Sequence, residues 1–317
     1  DETLIGSYFD KPQKYDGIKY GGFYTKKDIQ EVIEYARKRY VTIVPEIEMP
    51  GHSLAALAAY PELSCTDKKH TVAKIWGVHK EIFCAGKEST FNFLETVLTE
   101  VAEMFPGPYI HIGGDEAPKD RWKKHALDQK RIIDENLKDE HELQSYFIKR
   151  IENILSKLGK RLIGWDEILE GGLAPDAIVQ SWRGMDGGII AANAKHEVIM
   201  SPTSHAYFDY YQSDDRDKEP LAIGGFLSLE KVYEFEPIPD DIEQEKIKYI
   251  LGGQGNVWTE YINTPQKVEY MAIPRMSAMA EVLWSKKSDR DFESFKERMK
   301  WQYKRLDLMK VNYRKES

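Results

Sequence analysis

Short apolar, β-branched runs alternate along the chain with stretches in which apolar residues recur every three or four positions. Ile29, Val32, Ile33 and Ala36 share such a spacing and predict a helix from about Lys26 to Arg39. The run Val41-Thr-Ile-Val-Pro-Glu-Ile47 after it predicts a buried strand. Leu94, Val97, Leu98 and Val101 predict a helix from about Phe91 to Phe105, followed by the strand Tyr109-Ile-His-Ile-Gly113. A strongly periodic stretch from Leu143 to Leu158 feeds the strand Arg161-Leu-Ile-Gly-Trp165. Three more candidate strands are Ala177-Ile-Val-Gln-Ser-Trp182, Glu197-Val-Ile-Met-Ser201 and Ile250-Leu-Gly-Gly253. Helical patterns lie at about Asp186 to Ala194, Gln266 to Ala280 and Asp291 to Met309.

Strands alternating with helices, with no break in composition, predict an α/β domain with a parallel sheet that takes in residues 1–317. A doubly wound sheet would carry a glycine-rich phosphate loop after an early strand, and none is found; Gly252, Gly253 and Gly255 lack the Lys-Ser/Thr of such a loop. The ends of the strands point to a (β/α)8 TIM barrel instead. They carry Glu46 and Glu48, Asp115 and Glu116, Trp165 and Asp166, Trp182 and Arg183, and Trp258 and Glu260. Carboxylates and tryptophans converging at the C-terminal ends of strands are the signature of a barrel active site. Six strands are visible where a barrel has eight, so the chain is expected to supply about the last six βα units.

Net charge sharpens the picture: 45 Lys and Arg against 53 Asp and Glu leave −8, which argues against nucleic acid as a partner. No stretch is long and apolar enough for a membrane span, and Asp1 opens without a basic-then-apolar leader. Cys65 and Cys84, with 18 residues between them, either close one disulfide loop or are two free thiols; neither sits in a CxxC or metal-ligand spacing.

The polar strand ends also carry a resemblance. Pro45-Glu-Ile-Glu-Met-Pro-Gly-His52, His111-Ile-Gly-Gly-Asp-Glu116, Gly164-Trp-Asp-Glu167, Gln180-Ser-Trp-Arg183 and Gly253-Gln-Gly-Asn-Val-Trp-Thr-Glu260 resemble the catalytic barrel of the β-N-acetylhexosaminidases of glycoside hydrolase family 20. The likeness runs in order from Gly21-Gly-Phe-Tyr-Thr25 to the last helix. Two earlier barrel strands of that family, with an arginine that grips the sugar and an acidic segment behind the acid, have no counterpart here, and an upstream segment is expected in the natural protein.

Glycoside cleavage ordinarily takes two carboxyl groups on opposite sides of the scissile bond. Asp115 and Glu116 are adjacent, and neighbours at a strand end do not easily stand on opposite faces of one sugar ring. The resemblance implies substrate assistance instead, with no cofactor and no metal. The 2-acetamido oxygen attacks C1 to give an oxazolinium intermediate, Glu116 is the acid and then the base, and Asp115 accepts the acetamido N–H. By the same resemblance Tyr207 donates to the acetamido oxygen and Asp209 helps hold that group. Trp165, Trp182 and Trp258 box in the methyl and the sugar face, Glu260 binds sugar hydroxyls, and His52 orders the acid. His111, mid-strand, reads as a core histidine. The implied activity is removal of terminal β-linked N-acetylhexosamine from glycans in a secreted, periplasmic or lysosomal setting, which agrees with a Cys65–Cys84 disulfide worth about 3 kcal/mol. Two other classes stand beside it. A metal-dependent barrel enzyme would use Glu46, Asp115 and Asp166 as ligands, and a carbohydrate-binding protein would use the tryptophans without turnover.

Overall fold

Parallel strands flanked by amphipathic helices recur through the computed structural model, which describes residues 3–66 and 68–315. The chain falls into two compact units, one holding Pro12–Gln180 with the short segment before Phe9, the other Ser181 onwards with Phe9–Lys11.

In the first unit a small hairpin pairs β1 (Leu4–Ile5) with β2 (Lys14–Tyr15). The helix Lys26–Arg37 starts on a capping box, in which Thr25 accepts from the Asp28 backbone and Asp28 accepts from the Thr25 backbone. The core forms where Glu88–Met104 and Glu140–Lys157 pack together, Phe91 and Phe147 meeting with ring centroids 5.1 Å apart. Their buried faces, Leu94 and Leu98 on one and Ile148, Ile151 and Leu155 on the other, are those the 3.6-residue period marks out. Each such side chain removed from water contributes roughly 1.5–3 kcal/mol. Beside them β3 (Tyr109–His111), β4 (Arg161–Trp165) and β5 (Ile178–Ser181) run parallel, His111 opposite Ile163 and Trp165 opposite Gln180.

Residues 41–47 depart from the expected buried strand. Only Glu46 forms a bridge, to His111, while Val41 and Val44 are exposed. The ladder exists at one end alone, Ile47 donating to the His111 carbonyl and Met49 to that of Ile112, and Pro45 has no N–H to extend it. The expected disulfide is likewise absent: Cys65 and Cys84 are buried free thiols 3.9 Å apart, far beyond the roughly 2.05 Å of an S–S bond.

In the second unit β6 (Val198–Met200) pairs in parallel with β7 (Ile250–Gly253), with an irregularity between Val198 and Ile199. The helical pattern expected over 266–280 is two helices, Pro265–Ala272 and Arg275–Trp284. Pro274 divides them, because it lacks an amide hydrogen and biases the residue before it away from helical backbone. The last helix, Phe292–Leu308, is capped by Asp291, which accepts from the Ser294 backbone.

Candidate functional site

The strand β3 ends in Ile112-Gly-Gly-Asp-Glu116, and the two glycines turn the chain sharply, with φ of 68° at Gly113 and 93° at Gly114. Gly113 also admits a side chain: a Cβ there would lie 1.8 Å from Glu48 Oε2. The turn therefore lets the Glu48 carboxyl rest against backbone just before the acidic pair. Glu116 itself holds φ of 44° and His52 holds 47°, a left-handed region that side chains other than glycine adopt rarely and that clusters at functional sites.

These two strained residues face each other. His52 Nε2 lies 3.3 Å from Glu116 Oε2 and 3.4 Å from Asp115 Oδ2. Bonds to Asp115 and Glu116 raise the His52 imidazole to about 10, against the burial that opposes charging it, so it is a cation at neutral pH. Asp115 is the more enclosed carboxylate, its side chain 15 % exposed against 39 % for Glu116. Its Oδ1 is buried with no hydrogen-bond partner among the described residues. Glu48 is pushed up to about 10 by burial and by the charges of Asp115 and Glu46, so it stays protonated there. Burial alone would raise Glu46 as well; its contact with His111 Nδ1 at 3.0 Å and the bond it accepts from Trp165 Nε1 at 2.9 Å outweigh this and hold it below the ordinary value.

The first unit thus brings together His52, Asp115 and Glu116 of the predicted residues, and links Trp165 to them through Glu46 and Glu48. Among the described residues Asp115 converges with His52 and Glu116 rather than with Glu46 and Asp166, the partners a metal-dependent reading would give it. Two further residues brace the turn: Gln144 Nε2 donates to the Gly114 carbonyl at 2.7 Å, and Lys119 Nζ donates to the Ala117 carbonyl and to Gln144 Oε1. Burial pulls the Lys119 amine down to about 8. Neither carries a motif; the one local signal is that Gln144 is a polar residue at helical spacing from Phe147, Ile148 and Ile151.

In the second unit Tyr207 is buried, and its ring stacks with that of Trp182 at 6.2 Å between centroids. Asp209 is also buried; its Oδ1 has no hydrogen-bond partner among the described residues. Burial chiefly, with the charge of Glu260, raises its carboxyl to about 7. Trp258 is half-buried and Glu260 exposed. The segment that carries Tyr207 is fixed by Asn256, whose N–H donates to the Ala206 carbonyl at 2.7 Å and whose carbonyl accepts from Phe208 at 2.7 Å. Arg275, fully buried, donates to the carbonyls of Phe208, Tyr210, Leu227 and Met271 and so clamps the backbone on both sides of Asp209.

The family model for the glycosyl hydrolase family 20 catalytic domain matches residues 3–287. A β-hexosaminidase of Porphyromonas gingivalis is 54 % identical over 94 % of this chain and 38 % of its own length. One from Vibrio furnissii is 36 % identical over 83 % of this chain and 43 % of its own. Among solved structures, a family 20 exo-β-N-acetylglucosaminidase of Vibrio harveyi, in complex with N-acetylglucosamine, superposes with a TM-score of 0.83 at 35 % identity, over 93 % of this chain and 47 % of that one. The chain therefore spans less than half the length of these relatives, and its fold is that of part of their (β/α)8 barrel. With a match over residues 3–287 and a relative more than half identical along nearly the whole chain, the chain belongs to glycosyl hydrolase family 20.

Proposed function

We propose that the protein is a β-N-acetylhexosaminidase that removes terminal β-linked N-acetylhexosamine with retention, using the substrate's acetamido group as nucleophile, and that residues 1–317 belong to one catalytic barrel. The observation that carries this reading is the arrangement of Asp115 and Glu116 around His52. Both carboxylates reach a single imidazole nitrogen, at 3.4 and 3.3 Å, so an imidazole rather than a sugar ring occupies the space between them. Two carboxylates that must act on opposite faces of a pyranose do not share a histidine in this way, and the family is one of the substrate-assisted exceptions to the two-carboxylate scheme.

Exposure divides the roles. Glu116 reaches solvent and can take a proton from it, deliver it to the leaving glycosidic oxygen, and later accept one from the incoming water. Asp115 is more enclosed and offers a bare Oδ1 to the acetamido N–H, which orients the acetamido oxygen toward C1 and stabilises the positive charge that spreads over the oxazolinium ring. Protonated His52 positions both carboxylates and offsets their mutual repulsion. Tyr207, Asp209, Trp165, Trp182, Trp258 and Glu260 take the acetamido-binding, boxing and hydroxyl-binding roles that the family likeness gives them. The names of the relatives favour glycans ending in N-acetylhexosamine as the partner, and with them a secreted, periplasmic or lysosomal setting; among the described residues no helix is long and apolar enough to cross a membrane.

Leaving-group dependence tests the assignment. Glu116→Gln should lose most of kcat on an alkyl or sugar leaving group and far less on an activated aryl one that departs without a proton, whereas Asp115→Asn should slow both. Equal losses for Glu116→Gln on the two kinds of substrate would remove it as the acid.

A further inference from the structure

Away from the acidic turn, four side chains that no step of the proposed reaction uses converge within the first unit. Cys65 and Cys84 Sγ, His125 Nδ1 and an Asp128 carboxylate oxygen all lie within 4.8 Å of one another. Cys84 Sγ is 3.3 Å from His125 Nδ1 and 3.4 Å from each Asp128 oxygen, and the two sulfurs are 3.9 Å apart. Tetrahedral coordination with Zn–S of about 2.3 Å and Zn–N or Zn–O of about 2.0–2.1 Å sets sulfurs about 3.8 Å apart and sulfur about 3.5 Å from nitrogen or oxygen. The separations of Cys84 Sγ from Cys65, His125 and Asp128 therefore already match a metal centre. The His125–Asp128 contact, a 2.7 Å hydrogen bond, has to open by about 0.6 Å, and Cys65 Sγ already lies within 4.8 Å of both.

The surroundings hold these atoms in place. Cys84 and Asp128 are fully buried, Cys65 nearly so, while the His125 side chain remains 21 % exposed and leaves a way in. His125 and Asp128 form a His-x-x-Asp pair at the start of the helix Ala126–Asp134. The Gly86 N–H donates to Asp128 Oδ1 at 2.6 Å, fixing the carboxylate while Oδ2 faces His125 and Cys84. Gly86 is packed so closely that a Cβ would lie 2.3 Å from the Leu127 carbonyl carbon, which locks the segment after Cys84 onto the helix start. Lys87 Nζ donates to the carbonyls of Glu62 and Ser64, and the Cys84 N–H to that of Leu63, which tie the Cys65 segment to the Cys84 segment. Two soft sulfurs, an imidazole and a carboxylate buried together make a costly assembly without a cation and a favourable one with it.

We propose that Cys65, Cys84, His125 and Asp128 form a closed, four-coordinate structural Zn²⁺ site that pins the segment from Cys65 to Cys84 to the helix Ala126–Asp134. Binding exchanges the two thiol protons for the metal and releases them to solvent, with His125 bound through Nδ1 as the neutral imidazole; no oxidant or reductant is involved. The spacing hid the site, since 18 residues separate the cysteines and 40 more precede His125.

Metal analysis of the protein purified without chelators or a metal-affinity tag tests the proposal. About one zinc per chain is expected, falling to less than about a tenth in Cys84→Ser and in His125→Ala. In parallel, chelator-stripped native protein titrated with Co²⁺ alone should develop a thiolate-to-cobalt charge-transfer band and the intense visible bands of a tetrahedral centre, saturating at one equivalent and abolished by Zn²⁺. This second arm decides the matter if the variants fail to fold. Zinc that persists in both variants, or native protein that is metal-free and gives no such spectrum with cobalt, overturns the site.

Discussion

Replacing His52 by asparagine removes the cation that bridges Asp115 and Glu116 while leaving the backbone at ease, because asparagine tolerates the left-handed φ of 47° found there. The imidazole is raised from an ordinary 6.5 to about 10 in the folded protein, chiefly by its bonds to Asp115 and Glu116. A basic group with a raised folded-state value stabilises the fold fully below its unfolded value and loses that contribution as pH climbs through the folded one. The window is therefore about pH 6.5 to 10. At about 1.4 kcal/mol per pH unit the ceiling is roughly 4–5 kcal/mol, and screening of a side chain that is 28 % exposed brings it to roughly 2–3 kcal/mol. Urea unfolding followed by tryptophan fluorescence at several pH values measures the gap between the parent and His52→Asn. The gap should be widest near pH 6 and should close by pH 10. A gap of constant size across that range, or a variant as stable as the parent at pH 6, would refute the bridged arrangement.

Glu48 works in the opposite sense. Its carboxyl is held protonated up to about 10 by burial, whereas the unfolded chain ionises near 4.5, so stability drains away as pH rises above 4.5. Glu48→Gln should accordingly stabilise the protein by about 1–3 kcal/mol at pH 7 and by almost nothing at pH 4, and destabilisation at pH 7 in the same unfolding assay would contradict this. Arg275→Met deprives four carbonyls of their donor in a fully buried setting and should cost about 3–5 kcal/mol, seen as a fall of several degrees in Tm together with a raised KM; a Tm within a degree of the parent would rule out the clamp.

What could be read from the sequence follows the range of the interactions involved. The helices Glu88–Met104 and Glu140–Lys157 and the strand Arg161–Trp165 were legible because each writes its own period into neighbouring residues. The run Val41–Ile47 has the composition of a core strand, but composition does not say on how many sides a strand is paired, and Val41 and Val44 are exposed. The break at Pro274 was written in the sequence and overridden by the apolar period on either side of it. Asp115 and Glu116 stood out because strand ends concentrate chemistry and His52 through the family resemblance, and the fold sets the three side by side. Glu48, by contrast, stood out only as one strand-end carboxylate among several, and its protonation depends on burial and on Asp115, far along the chain. Gln144 reaches a carbonyl 30 residues away and Arg275 one 67 residues away, and no local pattern encodes such contacts. The cysteines show the same limit: their spacing left a disulfide loop and two free thiols equally open, and only the fold brings His125 and Asp128 beside them.

Central to the proposed chemistry is that the nucleophile belongs to the substrate. The most direct measurement compares kcat/KM on two aryl β-glycosides with the same leaving group, one bearing the 2-acetamido group and the other a hydroxyl in its place. Substrate-assisted cleavage predicts that the hydroxyl compound reacts at least about a thousandfold more slowly, since the oriented internal nucleophile has been deleted. Comparable rates on the two substrates, or a covalent glycosyl-enzyme trapped on a protein carboxylate, would contradict it.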